Sequence, residues 1–239
     1  MGPSQSAAVD NRLLASLPAG ALAAVLPKLR PVVLTLRQTL YRPDAPIEAV
    51  YFPESGMISL VAILDDGTQA EVGIIGNEGM LGTSLLSGID TSFIEALAQM
   101  PGTALRMTIR DFRHEMDADG PLRALVLRYN EALQAQVMQT AACNGRHGSE
   151  QRLARWLLMA HDRADGDELP LTQEFVAMML GVHRPSISVT AGILQRAGLI
   201  RYSGGRITVL DREALEDASC ECYGAVRRRF AALLDTPAP

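Results

Sequence analysis

The chain has 239 residues, 48% apolar and 21% charged, a balance that fits one or two globular domains with sizeable cores. No stretch is apolar for long enough to cross a membrane, residues 1–12 lack the apolar centre of a secretory leader, and Gly2, followed at once by Pro3, is no lipidation signal. A net charge of −5 argues against a uniformly basic nucleic-acid binder, and three cysteines argue against a disulfide framework and for a reducing compartment, the cytoplasm.

Residues 19–29 suggest a short helix. Short runs rich in Val and Ile follow at 31–36, 49–52, 57–64, 70–75, 92–97 and 104–109. Turn residues separate them: Pro43-Asp44, the stretch 53–56, Asp65-Asp66-Gly67, the stretch 76–79, and Pro101-Gly102. Strands at such spacing imply an antiparallel sandwich or barrel, and Asp66-Gly67 between two alternating runs predicts a hairpin.

From 121 to about 147 the pattern becomes helical and long, with Pro121 acceptable in the first turn. Leu122, Val126, Tyr129, Leu133, Gln136, Thr140 and Cys143 fall on alternating steps of four and three, as in a heptad seam. Its first half is apolar and its second half polar. We expect Leu122, Val126, Tyr129, Leu133 and Gln136 to meet a twin helix in a homodimer; a helix packed wholly against its own barrel is the alternative. A further helix at 150–161 leads through a polar loop, 162–168, into the most informative segment of the chain, and one helical segment, 212–234, closes it.

Residues 171–210 read as two short helices across a glycine turn, then two strands separated by Ser203-Gly204-Gly205. Ala177 lets the helices approach, Gly181 makes the turn and Ile187 plugs the corner. Val176, Leu180, Ile187, Ala191 and Leu194 recur at helical spacing as an inner face, leaving Arg184, Ser186, Ser188 and Gln195 outside. This pattern predicts a winged helix-turn-helix, whose usual work is reading DNA. Charge agrees locally: four arginines against Glu174 make the segment +3, so the remaining chain carries −8 of the total −5.

A β-barrel, a long helix and a winged helix-turn-helix, in that order, resemble the Crp/Fnr superfamily of bacterial transcription regulators. The resemblance spans about 13–234 and is strongest in TQEFVAMMLGVHRPSISVTAGILQRAGLI, where Thr172, Gly181, Arg184 and Leu199-Ile200 occupy the family's positions. GNEGMLG, 76–82, is similar to the glycine-rich turn of the family's ligand barrel. The resemblance implies an α+β fold: an N-terminal antiparallel β-barrel of the double-stranded β-helix or jelly-roll type, a long dimerisation helix and a C-terminal winged helix-turn-helix. The expected divisions are 1–118 for the sensor, 119–148 for the long helix and hinge, and 149–239 for the DNA-binding domain. It implies a cytoplasmic homodimer on a palindromic operator, with RNA polymerase a candidate partner and the effector undefined.

The implied DNA contacts are Thr172, His183, Arg184, Ser186, Ser188, Val189, Arg201 and Arg206. Arg184 matches the family's leading base-reading arginine, whose fork takes guanine O6 and N7 together. Where the family commonly has glutamate and a later arginine, this chain has Pro185 and Val189, so its operator should differ. Val189 suits a thymine methyl group; His183 and Ser186 suit phosphate or simply cap the helix; Arg201 and Arg206 flank the wing turn and touch phosphate or are merely solvated.

The cyclic-nucleotide branch pairs the cyclic phosphate with an arginine downstream of the Gly-Glu turn, but between Arg42 and Arg106 this chain has no Arg, Lys or His. We therefore expect no dependence on cyclic AMP or cyclic GMP. Other relatives use an iron–sulfur cluster or haem. Cys143, Cys220 and Cys222 fall short of four cysteines, and none lies near the N-terminus where cluster-binding relatives keep theirs. Cys143 and His147 have a legitimate ligand spacing, with a packed cysteine and a solvated histidine as the plain alternative, and Cys220-Glu221-Cys222 could form a thiol switch. No metal or cofactor is expected. Glu71, Glu78 and Glu95 stand without evident partners and no nucleophile–base set or phosphate loop appears, so the chain is not read as an enzyme. The rival reading is a small-ligand-binding module whose degenerate helix-turn-helix serves protein contacts.

Overall fold

The Val- and Ile-rich runs form two antiparallel sheets that enclose one core. In a computed structural model that describes residues 9–234, apart from the side chains of Arg184 and Leu233, seven strands make up this half. They are β1 (Arg30–Leu34), β2 (Thr39–Tyr41), β3 (Ala49–Pro53), β4 (Met57–Ile63), β5 (Gln69–Ile75), β6 (Glu95–Met100) and β7 (Gly102–Thr108). One sheet has the order β1-β7-β3 and the other β2-β6-β4-β5. The expected hairpin joins β4 and β5, with Gly67 at φ +80° and the Asp66 carboxylate accepting from the Thr68 amide at 2.9 Å.

Two short helices, α1 (Arg12–Ala15) and α2 (Ala19–Val25), the second extended by a 3₁₀ turn, precede the barrel. Asn11 caps α1 by accepting from the Leu14 amide at 2.9 Å. Its amide nitrogen also donates to the carbonyls of Pro53 and Gly79, which ties this end of the chain to the glycine-rich turn. Residues 1–8, to which most of the leader reading applies, lie outside the described residues.

β4, β5 and β6 read as almost continuous apolar runs because both of their faces are covered. Ile58, Leu60, Ile75, Ala96 and Ala98 point into the barrel with Leu34, Val50, Phe52 and Met107. Met57, Val61, Ile74, Leu97 and Met100 point outward into a second core, shared with the C-terminal half. That half consists of α3 (Ile109–Asp117), α4 (Pro121–Arg146), α5 (Ser149–His161), β8 (Glu168–Leu169), α6 (Gln173–Leu180), α7 (Arg184–Arg196), β9 (Ile200–Ser203), β10 (Arg206–Val209), α8 (Arg212–Ala218) and α9 (Cys222–Leu234).

Four departures from the sequence reading bear on the barrel and the long helices. β2 is an extra strand, three residues long, between polar neighbours that hide it. The expected strand at 104–109 gives way to α3 at Thr108, whose hydroxyl accepts from the Asp111 amide and caps the helix. The closing segment is two helices broken at 219–221, where the Ser219 hydroxyl donates to the Glu216 carbonyl. The fourth concerns α4. Leu122, Val126, Tyr129, Leu133 and Gln136, expected at a twin helix, are all buried within their own chain. The first four pack on the barrel and Gln136 accepts from the Ile74 amide at 2.7 Å. The partner-facing role given to these five residues is therefore corrected: their surface is already covered. The face of α4 left in solvent is Leu127, Glu131, Gln134, Met138, Ala141 and Gly145, on the opposite side and also at steps of four and three.

Candidate nucleic-acid interface

Local chemistry builds the helix-turn-helix. Thr172 caps α6, its hydroxyl accepting from the Phe175 amide at 3.2 Å. Gly181 ends α6 at φ +60°, a left-handed position that favours glycine, and its amide bonds the Met178 carbonyl. Ala177 and Ile187 are buried at the crossing of α6 and α7, and Val176, Leu180, Ala191 and Leu194 line the same interior. The corner read from the sequence is thus the corner observed. The wing gains a strand: β8 pairs with β10, which pairs with β9 through the Gly204-Gly205 turn, both glycines having positive φ.

The expected contact residues sit on this scaffold as follows. His183 is the residue before α7, exposed, and its side chain makes no cap bond; Pro185 occupies the first turn. Arg184 begins α7, and its side chain lies outside the described residues. Ser186 is exposed in the same turn. Ser188 donates to the Gln173 side chain at 2.8 Å, which fastens α7 to the start of α6. Val189 is 64% exposed at the centre of the outer face. Arg201 is exposed on β9, and Arg206 on β10 forms an exposed ion pair with Glu168. Such a pair adds little stability and yields readily to a phosphate.

Sequence reasoning did not single out Arg196 as a contact. It lies on the same outer stripe as the exposed Pro185 and Val189 and the half-buried Gly192, and its guanidinium lies over Gly192, where an added Cβ would come within 3.5 Å. The signal was available, since 185, 189, 192 and 196 are spaced by four, three and four. Thr190, by contrast, is buried and donates to the Ser186 carbonyl at 2.8 Å.

On the barrel side the glycine-rich turn is filled by protein. A Cβ at Gly79 would collide with the Tyr129 ring and hydroxyl, and one at Gly82 would lie 2.6 Å from Val50, so both glycines permit close packing. A cation does reach the turn, through space: Arg163, after α5, pairs with Glu78 at 2.5 Å, with both side chains largely buried. Glu71 is buried on β5; Trp156 of α5 donates to one carboxylate oxygen at 2.6 Å and Ser59 to the other at 2.5 Å. Burial pushes the Glu71 carboxyl up to about 7, against those two hydrogen bonds. These contacts join the barrel to the helical half.

The two weak cysteine signals prove to be one cluster. Cys143 and His147 at the end of α4 converge with Cys220 and Cys222 at the α8–α9 break. Burial pushes the Cys220 thiol up to about 12, which makes it a poor nucleophile and weakens the thiol-switch reading.

Comparison with known proteins bears on both halves. The family description "Cyclic nucleotide-binding domain" matches residues 31–119, and "Crp-like helix-turn-helix domain" matches residues 151–218. The Global nitrogen regulator of a Nostoc species is 28% identical over 192 residues, covering 75% of this chain and 85% of that protein. The fold is similar to that of FixK2 from Bradyrhizobium japonicum, with a TM-score of 0.68 at 17% identity over 80% of this chain and 98% of that one. A CRP-family transcriptional regulator from Thermus thermophilus superposes with a TM-score of 0.67 at 23% identity, covering 79% and 96%. No helix among the described residues is long and apolar enough to cross a membrane.

Proposed function

The chain belongs to the Crp/Fnr superfamily, whose members are transcription regulators rather than enzymes, and we propose that it acts as a cytoplasmic homodimer that reads a palindromic operator without a cyclic nucleotide. The observation that carries this reading is the outer face of α7. Pro185, Val189 and Arg196 stand exposed on one stripe that begins beside Arg184, on a scaffold with local charge +3. In this reading residues 1–118 form the sensor, 119–148 the long helix and hinge, and 149–239 the DNA-binding domain.

The two α7 helices of a dimer would enter successive major grooves about 34–36 Å apart. Arg184 reads guanine, Val189 meets a thymine methyl group, and Thr172, His183, Ser186, Arg201 and Arg206 hold phosphates. Ser188 serves through Gln173, and Arg196 joins the phosphate set. The twin helix is met by the solvent stripe of α4, centred on Leu127 and Met138, which are 45% and 64% exposed. RNA polymerase is the partner through which transcription changes.

Independence from cyclic nucleotides rests on charge. Residues 43–105 hold no cationic side chain, and Arg163 is engaged by Glu78. A buried cyclic phosphate would stand without a charged partner, at a cost of several kcal/mol.

Selection of bound sequences from random duplex DNA, with no nucleotide added, tests the reading directly. Wild type should enrich a palindrome, and Arg184→Ala should lose about 1–3 kcal/mol per half-site and blur the guanine position. If neither protein enriches a motif, DNA reading is wrong and the helix-turn-helix serves protein contacts.

A further inference from the structure

Four side chains drawn from two distant parts of the chain meet where α4 ends. Cys143 and His147 lie four residues apart across the last turn of α4; Cys220 and Cys222 flank Glu221 at the break between α8 and α9. Their ligand atoms all lie within 4.8 Å of one another. The Cys143 and Cys220 sulfurs are 3.5 Å apart, and Cys222 Sγ is 3.6 Å from His147 Nδ1. All three cysteines are buried and free, and they form a small cluster separate from both main cores.

We propose that Cys143, His147, Cys220 and Cys222 form a mononuclear tetrahedral metal site, suited to zinc, that clamps the end of α4 to the α8–α9 joint. The distances carry the geometry. With zinc–sulfur bonds of about 2.3 Å and zinc–nitrogen bonds of about 2.0–2.1 Å, neighbouring ligand atoms of a tetrahedron lie about 3.5–3.8 Å apart. Two of the edges already have that length, and the remaining ones need an adjustment of about 1 Å at most to reach it. Sulfurs 3.5 Å apart are not a disulfide, whose bond is about 2.05 Å. Four donors this close surround room for one ion, whereas a two-iron cluster places two irons and their bridging sulfides between its ligands. Three cysteines and one histidine form a recognised closed set for structural zinc.

The surroundings are those that such ligands need. His147 Nε2 faces a Glu221 carboxylate oxygen at 3.3 Å, which holds the proton on Nε2 and leaves Nδ1 as the donor toward the cluster. Gln139, one helical turn before Cys143, donates to Cys222 Sγ at 3.0 Å. Three thiolates on a divalent ion give a site of net −1. Arg155, buried on α5, donates to Thr140 at 2.9 Å, one turn before Cys143, and brings positive charge to that side.

The position gives the clamp its consequence. Past Arg146 the chain leaves the helix through two extended residues, His147 and Gly148, before α5 starts the DNA-binding half. One ligand is therefore in the hinge itself. α9 runs back along α4 from Cys222 beside Gln139 to Phe230 stacked edge-on against Tyr129, 6.4 Å between ring centres. A bound ion would fix three segments at one point, the end of α4, the hinge and the start of α9. This site stands apart from the DNA-reading proposal and does not depend on it.

The test is titration of the full-length, reduced, metal-stripped protein with cobalt(II), whose tetrahedral thiolate complexes absorb in the near ultraviolet and the visible. One cobalt per chain should bind with both sets of bands, and one equivalent of zinc should bleach them. Cys222→Ser and His147→Ala should each weaken cobalt binding at least tenfold, and Glu221→Gln, which leaves every ligand in place, by about 10–100-fold. His147 lies near the surface, so His147→Ala keeps the test alive if the cysteine variant does not fold. No thiolate band in wild type, bands unchanged in His147→Ala, or a Cys143–Cys220 disulfide with no cobalt uptake after its reduction would each overturn the site.

Discussion

Glu71 is the residue whose chemistry departs furthest from what its place in the sequence suggests. On the chain it is the one acid within the strand-like run 70–75, without an evident partner; in the fold it is buried on β5 and holds Trp156 of α5. With the carboxyl raised from 4.5 to about 7, the native protein keeps a proton that the unfolded chain releases above pH 4.5. Stability from this group is therefore full below pH 4.5 and falls as pH rises to about 7, by on the order of 3 kcal/mol. Glu71→Gln can accept from Trp156 and donate to Ser59 without a charge to bury. Its melting temperature should lose this slope and exceed that of wild type by more at pH 8 than at pH 5; parallel profiles would refute the assignment. That Glu71 is buried could not be read locally, because its cover comes from a helix 85 residues further on.

At the scale of the element, α4 shows how a correct period can point to the wrong face. A helix with heptad spacing offers such a stripe on each side, and apolarity marks the one that is buried without naming what buries it. Here the apolar stripe of Leu122, Val126, Tyr129 and Leu133 went to the chain's own barrel. The two faces should respond differently to substitution. Leu133→Ala should lower folding stability by about 2–5 kcal/mol whatever the oligomeric state. Leu127→Glu combined with Met138→Glu should leave the fold intact and convert the proposed dimer to monomer in analytical ultracentrifugation, since like charges would oppose across its two-fold axis. A double variant that stays dimeric would place the dimer contact elsewhere. The helix break at 219–221 was equally hidden, for it contains neither Pro nor Gly. In an unbroken helix Cys220 and Cys222 would face nearly opposite sides; the break lets both turn to Cys143.

At the scale of the whole molecule, two halves that read as separate domains share a core. The outer face of β4–β6 packs on α5 and α6, and the Glu78–Arg163 pair closes the seam beside the glycine-rich turn. Removing one partner leaves the other charge nearly buried and unpaired, so Glu78→Gln should cost about 3–5 kcal/mol. Replacing both, in Glu78→Gln with Arg163→Met, should cost less than Glu78→Gln alone. Hydrogen exchange should show residues 76–82 and 162–167 opening together in the single variant; opening of one without the other would mean that the pair does not hold the halves together.

The local devices and the class of fold were legible along the chain. Gly181 at a left-handed cap, Ala177 and Ile187 at a helix crossing, and Val- and Ile-rich runs between Asp-Gly and Pro-Gly turns each act over a few residues, so spacing alone reveals them. Tertiary structure alone decided which side of α4 faces the barrel, which cation reaches Glu78, what covers Glu71, and that two cysteines 77 residues apart share a site with a third and a histidine. The reason is physical. Helix caps, turns and periodicities are short-range, whereas burial and the meeting of ligands depend on which distant surface arrives, and many sequences with the same local pattern would bring a different one.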